Sequence, residues 1–234
     1  MSTPARSRST NGHEHAAIAP LVLNAATGRP LRILCLGAHA DDIEIGCGGT
    51  ILKLLATYPD VEVRWVVFAS TPERAREARR SASRFLGSAH GSTVVVKRFR
   101  DSFFPYIGAD IKEAFEELKR QMAPDVIFTH YRDDRHQDHR VISDLTWNSF
   151  RNHLILEYEI PKYDGDLGAP NIFVPIAEEL ADEKVRLLLE HFPSQADKLW
   201  FDEELFRSVM RLRGMEATTH YAEAFTCRKL RLEA

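Results

Sequence analysis

Residues 31–50, LRILCLGAHADDIEIGCGGT, constrain the rest of the chain more than any other stretch. The apolar run at 33–36 ends in Gly37-Ala38, and His39, Asp41 and Asp42 follow at once, with Glu44 just behind. A short apolar run bounded by turn signals reads as a buried strand. Charge at the end of such a strand has to be paired or to coordinate a metal. In open α/β sheets, ligands bind outside the carboxyl ends of the strands. The stretch therefore reads as half of a metal-dependent hydrolase site. The other half is 130–139, HYRDDRHQDH, which follows a second apolar run at 126–129.

Strands are expected at 33–36, 61–69, 93–97, 126–129, 154–160, 171–174 and 220–227. Helices are expected at 50–58, 73–86, 107–122, 136–151, 178–190 and 201–213. Alternation of short strands with helices of this length indicates a parallel, right-handed α/β sheet. Thr71 is a natural N-cap with Pro72 behind it. The five arginines of the helix that follows (Arg74, Arg76, Arg79, Arg80, Arg84) read as a solvated face, with Glu73 and Glu77 in register. Residues 98–106, RFRDSFFPY, read as an aromatic-rich loop.

At 234 residues the chain reads as one folded domain over 18–234, behind a disordered tail at 1–17 and a turn at Ala26-Thr27-Gly28. A net charge of -3 leaves no electrostatic footprint for nucleic acid. No apolar run approaches the roughly 20 residues that span a bilayer, and the start lacks an apolar signal core. The three cysteines are scattered without a CxxC, which fits a reducing cytoplasm. Gly46-Cys47-Gly48-Gly49 does not match the dinucleotide fingerprint, and the acidic run before it would repel a pyrophosphate. These glycines read as close packing and turn geometry.

Zinc accepts imidazole nitrogen and carboxylate oxygen, and a catalytic site uses three protein ligands and keeps a position for water. His39 and Asp42, three apart, and the remote His139 make a workable set, which ferrous iron would also accept. Asp41 is placed as a general base, and His136 as the group that polarises the carbonyl or protonates the leaving nitrogen. Asp138 can orient an imidazole from behind. Asp41-Asp42 as a capping pair, and 130–139 as an ordinary polar loop, are the competing readings.

AHADD at 38–42, followed by IEIGCGGT, resembles the A-H-P-D-D signature of the PIG-L and LmbE-like de-N-acetylases. RHQDH at 135–139 resembles their H-x-D-H element, and weaker likeness extends through FRDSFFPY, NIFVPI, Ser194-Gln195 and HYAEAF. The resemblance implies a Rossmann-like, mainly parallel sheet, one zinc ion, and hydrolysis of an acetamide on a glucosamine-type sugar. It implies His39, Asp42 and His139 as metal ligands, Asp41 as base, His136 as polarising or proton-donating histidine, and Asp138 as an aspartate that supports a histidine. Arg98 and Asp101 fall in a segment that borders the sugar. Ala40 replaces the usual proline and leaves every polar group in place. The substrate expected is a soluble small-molecule or nucleotide-linked N-acetylated sugar, without membrane insertion; assembly into homo-oligomers is left open. Amidase action on a thiol-sugar conjugate, and a nucleotide- or sugar-binding protein without hydrolase activity, are the alternatives.

Overall fold

The computed structural model describes residues 20–23, 28–87 and 89–231. The tail expected at 1–17, and the Ala26 and Thr27 of the expected turn, lie outside them. The described chain forms a mixed α/β structure around one seven-stranded sheet of order β3-β2-β1-β4-β5-β7-β6. The strands are β1 (Leu31–Gly37), β2 (Val61–Ala69), β3 (Thr93–Phe99), β4 (Val126–His130), β5 (Leu154–Tyr158), β6 (Ile172–Ile176) and β7 (Tyr221–Thr226). The helices are α1 (Asp42–Thr57), α2 (Pro72–Leu86), α3 (Gly108–Gln121), α4 (Gln137–Ser149), α5 (Glu178–His191) and α6 (Glu203–Glu216). Strands β1 to β5 run parallel, while β7 is antiparallel to both β5 and β6.

Alternate residues of β1 feed two cores, as a strand's period of two requires. Ile33 and Cys35 pack with Trp65, Phe85, Phe128 and Leu188 on one face. Leu34 and Leu36 pack with Phe68, Ile111, Phe115 and Ile127 on the other. The chain leaves β1 for β2 and β3 on one side, then returns to place β4 against β1's other edge, pairing Ile33 with Val126 and Cys35 with Phe128. That reversal is the topological switch point, where the carboxyl ends of neighbouring strands open a crevice. The two polar stretches follow these two strands, so the topology alone puts them side by side.

Three expectations change. Helix α1 starts at Asp42 rather than near Thr50, so Gly46, Gly48 and Gly49 lie inside a helix. Packing explains their presence: a Cβ on Gly46 would stand 2.2 Å from the Tyr158 ring, and one on Gly48 would stand 2.8 Å from Phe85. Next, β3 runs on to Phe99, so Arg98 is a strand residue, and only Phe104–Tyr106 form a short 3-10 turn in the loop that follows. Finally, α2 is not one solvated face. Its cap is as expected, with the Thr71 hydroxyl accepting from Arg74 N, but Glu77 is buried and Arg74 turns inward beside it. Arg76, Arg79, Arg80 and Arg84 do remain exposed.

Candidate metal centre

At the end of β1 the chain folds over tightly. Ala38 O accepts from Ala69 N on β2, and Asp42 Oδ2 accepts from the backbone N–H of His39 at 2.6 Å. Asp42 then opens α1, so its carboxylate sits at the positive end of a helix dipole. At the end of β4, His136 caps α4 through Nδ1, which accepts from Asp138 N, and His139 falls in the helix's first turn.

These elements bring His39, Asp42 and His139 together. His39 Nδ1 is 3.2 Å from His139 Nε2 and 3.4 Å from Asp42 Oδ2, while Asp42 Oδ1 is 3.6 Å from His139 Nε2. Two ligands bound tetrahedrally at zinc's usual bond lengths stand ~3.4 Å apart. Asp42 meets the two imidazoles through different oxygens, and each pair of these residues stands near the separation of two ligands on one small divalent ion. His136 lies on the half-open side, its ring 4.8 Å from that of His39 and 4.6 Å from that of His139. His139 is common to two groupings that satisfy metal-ligand spacing, one with His39 and His136 and one with Asp42 and His130.

Supporting groups fix the rings. Asp138 accepts from Ser102 N and Phe104 N and stands 3.2 Å from His39 Nε2. Ser102 has φ 64, a left-handed backbone that serine adopts at a cost, and this bend aims its N–H at Asp138. Asp134 takes the corresponding place for His139: its Oδ2 is 2.9 Å from His139 Nδ1, and its Oδ1 accepts from His136 N. Lys162 pairs with the same Asp134 oxygen at 2.9 Å and with Asp166, which in turn accepts from Arg135 N. A carboxylate on Nδ1 leaves Nε2 with a free lone pair for a metal.

A sequence model of the GlcNAc-PI de-N-acetylase family, PIG-L, matches residues 34–150, half of the chain and the part that contains both polar clusters. The chain belongs to the PIG-L family. The uncharacterized deacetylase YaiS of Escherichia coli (strain K12) is 29% identical over 171 residues, covering 68% of this chain and 89% of YaiS. The fold is that of N,N'-diacetylchitobiose deacetylase from Pyrococcus horikoshii (22% identity, TM-score 0.64, covering 84% of this chain and 83% of that one). It is equally that of GalB, the 4-carboxy-2-hydroxymuconate hydratase from Pseudomonas putida KT2440 (18% identity, TM-score 0.69, covering 87% of this chain and 98% of that one). Both structures share this fold; at such identity neither decides the reaction.

Within the PIG-L signature the carboxylates are unequal. Burial lifts the Asp41 carboxyl to about 7, against the nearby Arg74 guanidinium, which holds it down; the neighbouring Asp42 charge adds to the rise. Arg74 Nη2 stands 2.8 Å from Asp41 Oδ2 and also donates to Ala40 O, so Ala40 does present its carbonyl to this network. Asp42 is also desolvated, yet His139, His130 and His39 around it hold its carboxyl well below the usual range. Burial, reinforced by the neighbouring His130, pushes the His139 imidazole down to about 3, which keeps it neutral. A neutral imidazole and an ionised carboxylate are the forms a metal binds.

Of the remaining expected residues, Asp101 reaches the cluster from an exposed position, its Oδ1 3.2 Å from His39 Nε2. Arg98 does not: it is exposed on β3 and has no contact with the cluster. Sequence reasoning gave no role to His130, Asp134, Lys162 or the inward Arg74. His130 is the last residue of β4; its Nε2 accepts from Ala38 N and stands 3.2 Å from Asp42, and its buried Nδ1 has no partner. Its position at a strand end was a usable signal. Lys162 lies 23 residues beyond His139 in a loop, and nothing local marks it.

Proposed function

We propose that this chain is a metal-dependent N-deacetylase that hydrolyses the acetamide of an N-acetylglucosamine-type sugar conjugate, small or nucleotide-linked, in the cytoplasm. The observation that carries the reading is the mutual approach of His39 Nδ1, the Asp42 carboxylate and His139 Nε2, each pair within 3.6 Å, with Asp41 in the same turn. PIG-L membership supports the reaction class. Among the described residues no helix is long and apolar enough to cross a membrane, which suits a substrate free in solution.

In this reading His39, Asp42 and His139 hold zinc or ferrous iron. The bound ion supplies an acidified water and polarises the acyl oxygen. Asp41 takes a proton from the attacking water as its oxygen bonds to the acetamide carbon. His136, at the open side, donates a hydrogen bond from its Nε2–H to the acyl oxygen, its Nδ1 being held as acceptor by Asp138 N, and the proton taken up by Asp41 passes to the nitrogen as the C–N bond breaks. Acetate and the free amine result. Asp138 and Asp134 hold the His39 and His139 rings in register. Asp101, exposed beside His39, is placed to accept from a sugar hydroxyl. The whole of 18–234 acts as one domain.

The test combines metal content with product release. Untagged protein purified without chelator should carry about one zinc or iron per chain, and should release acetate from N-acetylglucosamine conjugates. Metal without acetate release from any amide, together with hydration of an unsaturated acid of the kind GalB's name describes, would replace the deacetylase reading. Faster turnover of acyl thiol-sugar conjugates than of simple N-acetyl sugars would move the substrate to the amidase alternative.

A further inference from the structure

Helix α1 is broken inside. Cys47 has φ -145 and ψ 15, so the helix is two segments joined at a kink, 42–46 and 48–57. The first segment begins with Asp42 and follows directly on Asp41. A kink frees carbonyls on one side and N–H groups on the other, and when buried these must find partners. Here they find an ion pair. Lys184 Nζ, from α5, donates to Ile45 O at 2.6 Å. Glu223, from β7, accepts from Gly49 N through Oε1 at 2.8 Å and from Thr50 N through Oε2 at 2.6 Å. Lys184 and Glu223 then pair with each other at 2.7 Å, each side chain 3% exposed.

An ion pair so buried is a poor source of net stability, since desolvation of both charges offsets their attraction. What it does supply is geometry. Its three backbone contacts hold both sides of the break, and the first segment is short, 42–46. Gly46, in that segment, packs on Tyr158, whose hydroxyl donates to Leu36 O beneath the site. Gly49 is also closely seated, since a Cβ there would stand 3.0 Å from Glu223 Oε1.

We propose that Lys184 and Glu223 are positioning residues for the metal centre: by clamping the kink of α1 they set where Asp41 and Asp42 stand against His39 and His139. The inference rests on the metal-site reading above. Neither residue touches the cluster; they act through the backbone of α1.

Glu223→Gln keeps the side-chain volume but presents an amide N–H₂ to one of the two backbone N–H groups. The full chain, metal-stripped, is titrated with zinc in competition with a chromophoric chelator, alongside thermal unfolding and steady-state kinetics. The folded variant is expected to bind zinc about tenfold more weakly, with kcat at saturating zinc reduced and KM unchanged. A lower Tm with zinc affinity and kcat within about twofold of the parent, well below the effect of a lost supporting group, means the pair is merely structural and overturns the proposal. If Glu223→Gln does not fold, Gly49→Ala decides. It keeps both charges and adds a helix-favouring residue, while its Cβ displaces the carboxylate. Zinc affinity several-fold weaker supports the clamp, and parental affinity overturns it. A parent chain that binds neither zinc nor iron refutes the metal-site reading itself, and the clamp's role falls with it.

Discussion

The two halves of the centre are built in different ways. At the end of β1 the candidate groups sit in the strand-to-helix turn itself, within residues 39–42, and their frame is largely backbone: Ala69 N on Ala38 O, His39 N on the Asp42 carboxylate, and glycine-permitted contacts along α1, with Asp138 behind His39 and Arg74 beside Asp41. At the end of β4 the proposed ligand, His139, comes nine residues after the strand's last residue, His130, and its frame is a relay of side chains. His139 rests on Asp134, Asp134 on Lys162, and Lys162 on Asp166. A backbone frame tolerates no insertion, and the side chains behind it act only through the main chain. A side-chain relay can be weakened one link at a time.

The largest effects are expected at the proposed ligands. Asp42→Ala and His139→Ala should each take metal content from about one per chain to near zero, read by elemental analysis of folded protein. His130 and His136 lie close enough to compete as substitutes for His139. Full metal retention in His139→Ala alone would show that His139 is dispensable and that one of these two, from the same half, is the true ligand.

Asp41→Asn separates holding from reacting. Metal should remain while kcat falls by about 10²–10⁴-fold. The sign of the pH effect follows from protonation. Below its pKa the Asp41 carboxyl carries a proton and cannot accept another, so kcat/KM should climb with pH through that value. Burial, opposed by the Arg74 guanidinium, sets it at about 7. A bound cation favours the ionised form, so the acid limb of the loaded enzyme should lie at or below about 7. The limb should vanish in Asp41→Asn; its persistence there would assign it to another group.

The contrast between the halves also explains what the sequence made legible. The strand-then-acid pattern at 31–42 is contiguous, and its chemistry can be read where it stands. The strand alternation predicted both strand ends, and the switch point between β1 and β4 followed. The start of α1 was obscured because three glycines in four residues argue locally against helix, and only Tyr158, Phe85 and Glu223, each remote, explain why they are helical. Arg74 was hidden among four exposed arginines on the same helix, since its inward turn depends on Asp41 and Glu77. Asp134 stood in plain view in RDDRHQDH, but its choice over Asp133 depends on Lys162, which only the β5–β6 loop delivers.

Lys162→Met sharpens the comparison at the relay. Removing the cation leaves Asp134 buried beside His139 without its partner, so ring orientation should loosen rather than vanish. Metal affinity should weaken about tenfold, with the fold retained by circular dichroism. Glu77→Gln, which touches Arg74 but no ligand, should leave metal affinity parental and act on kcat instead, through Asp41. Equal metal effects from both variants would mean that the two halves do not differ in the way described.

The smallest expected effect lies at the rim, where one strand and the loop after it part company. Arg98 and Asp101 are three residues apart, yet only Asp101 reaches His39, because β3 runs through Phe99 and the chain turns inward only after it, at Ser102 with φ 64. His39 holds the Asp101 carboxyl down to about 2, partly against burial, so it is an ionised acceptor at any working pH. Asp101→Ala should therefore raise KM for the sugar substrate with kcat little changed, the signature of lost ground-state binding. Arg98→Ala should leave both constants near parental values, because its guanidinium is exposed and contacts nothing in the cluster. A KM effect from Arg98→Ala that disappears with a neutral sugar, but persists with a nucleotide-linked one, would show that the substrate extends along β3 and carries phosphate there.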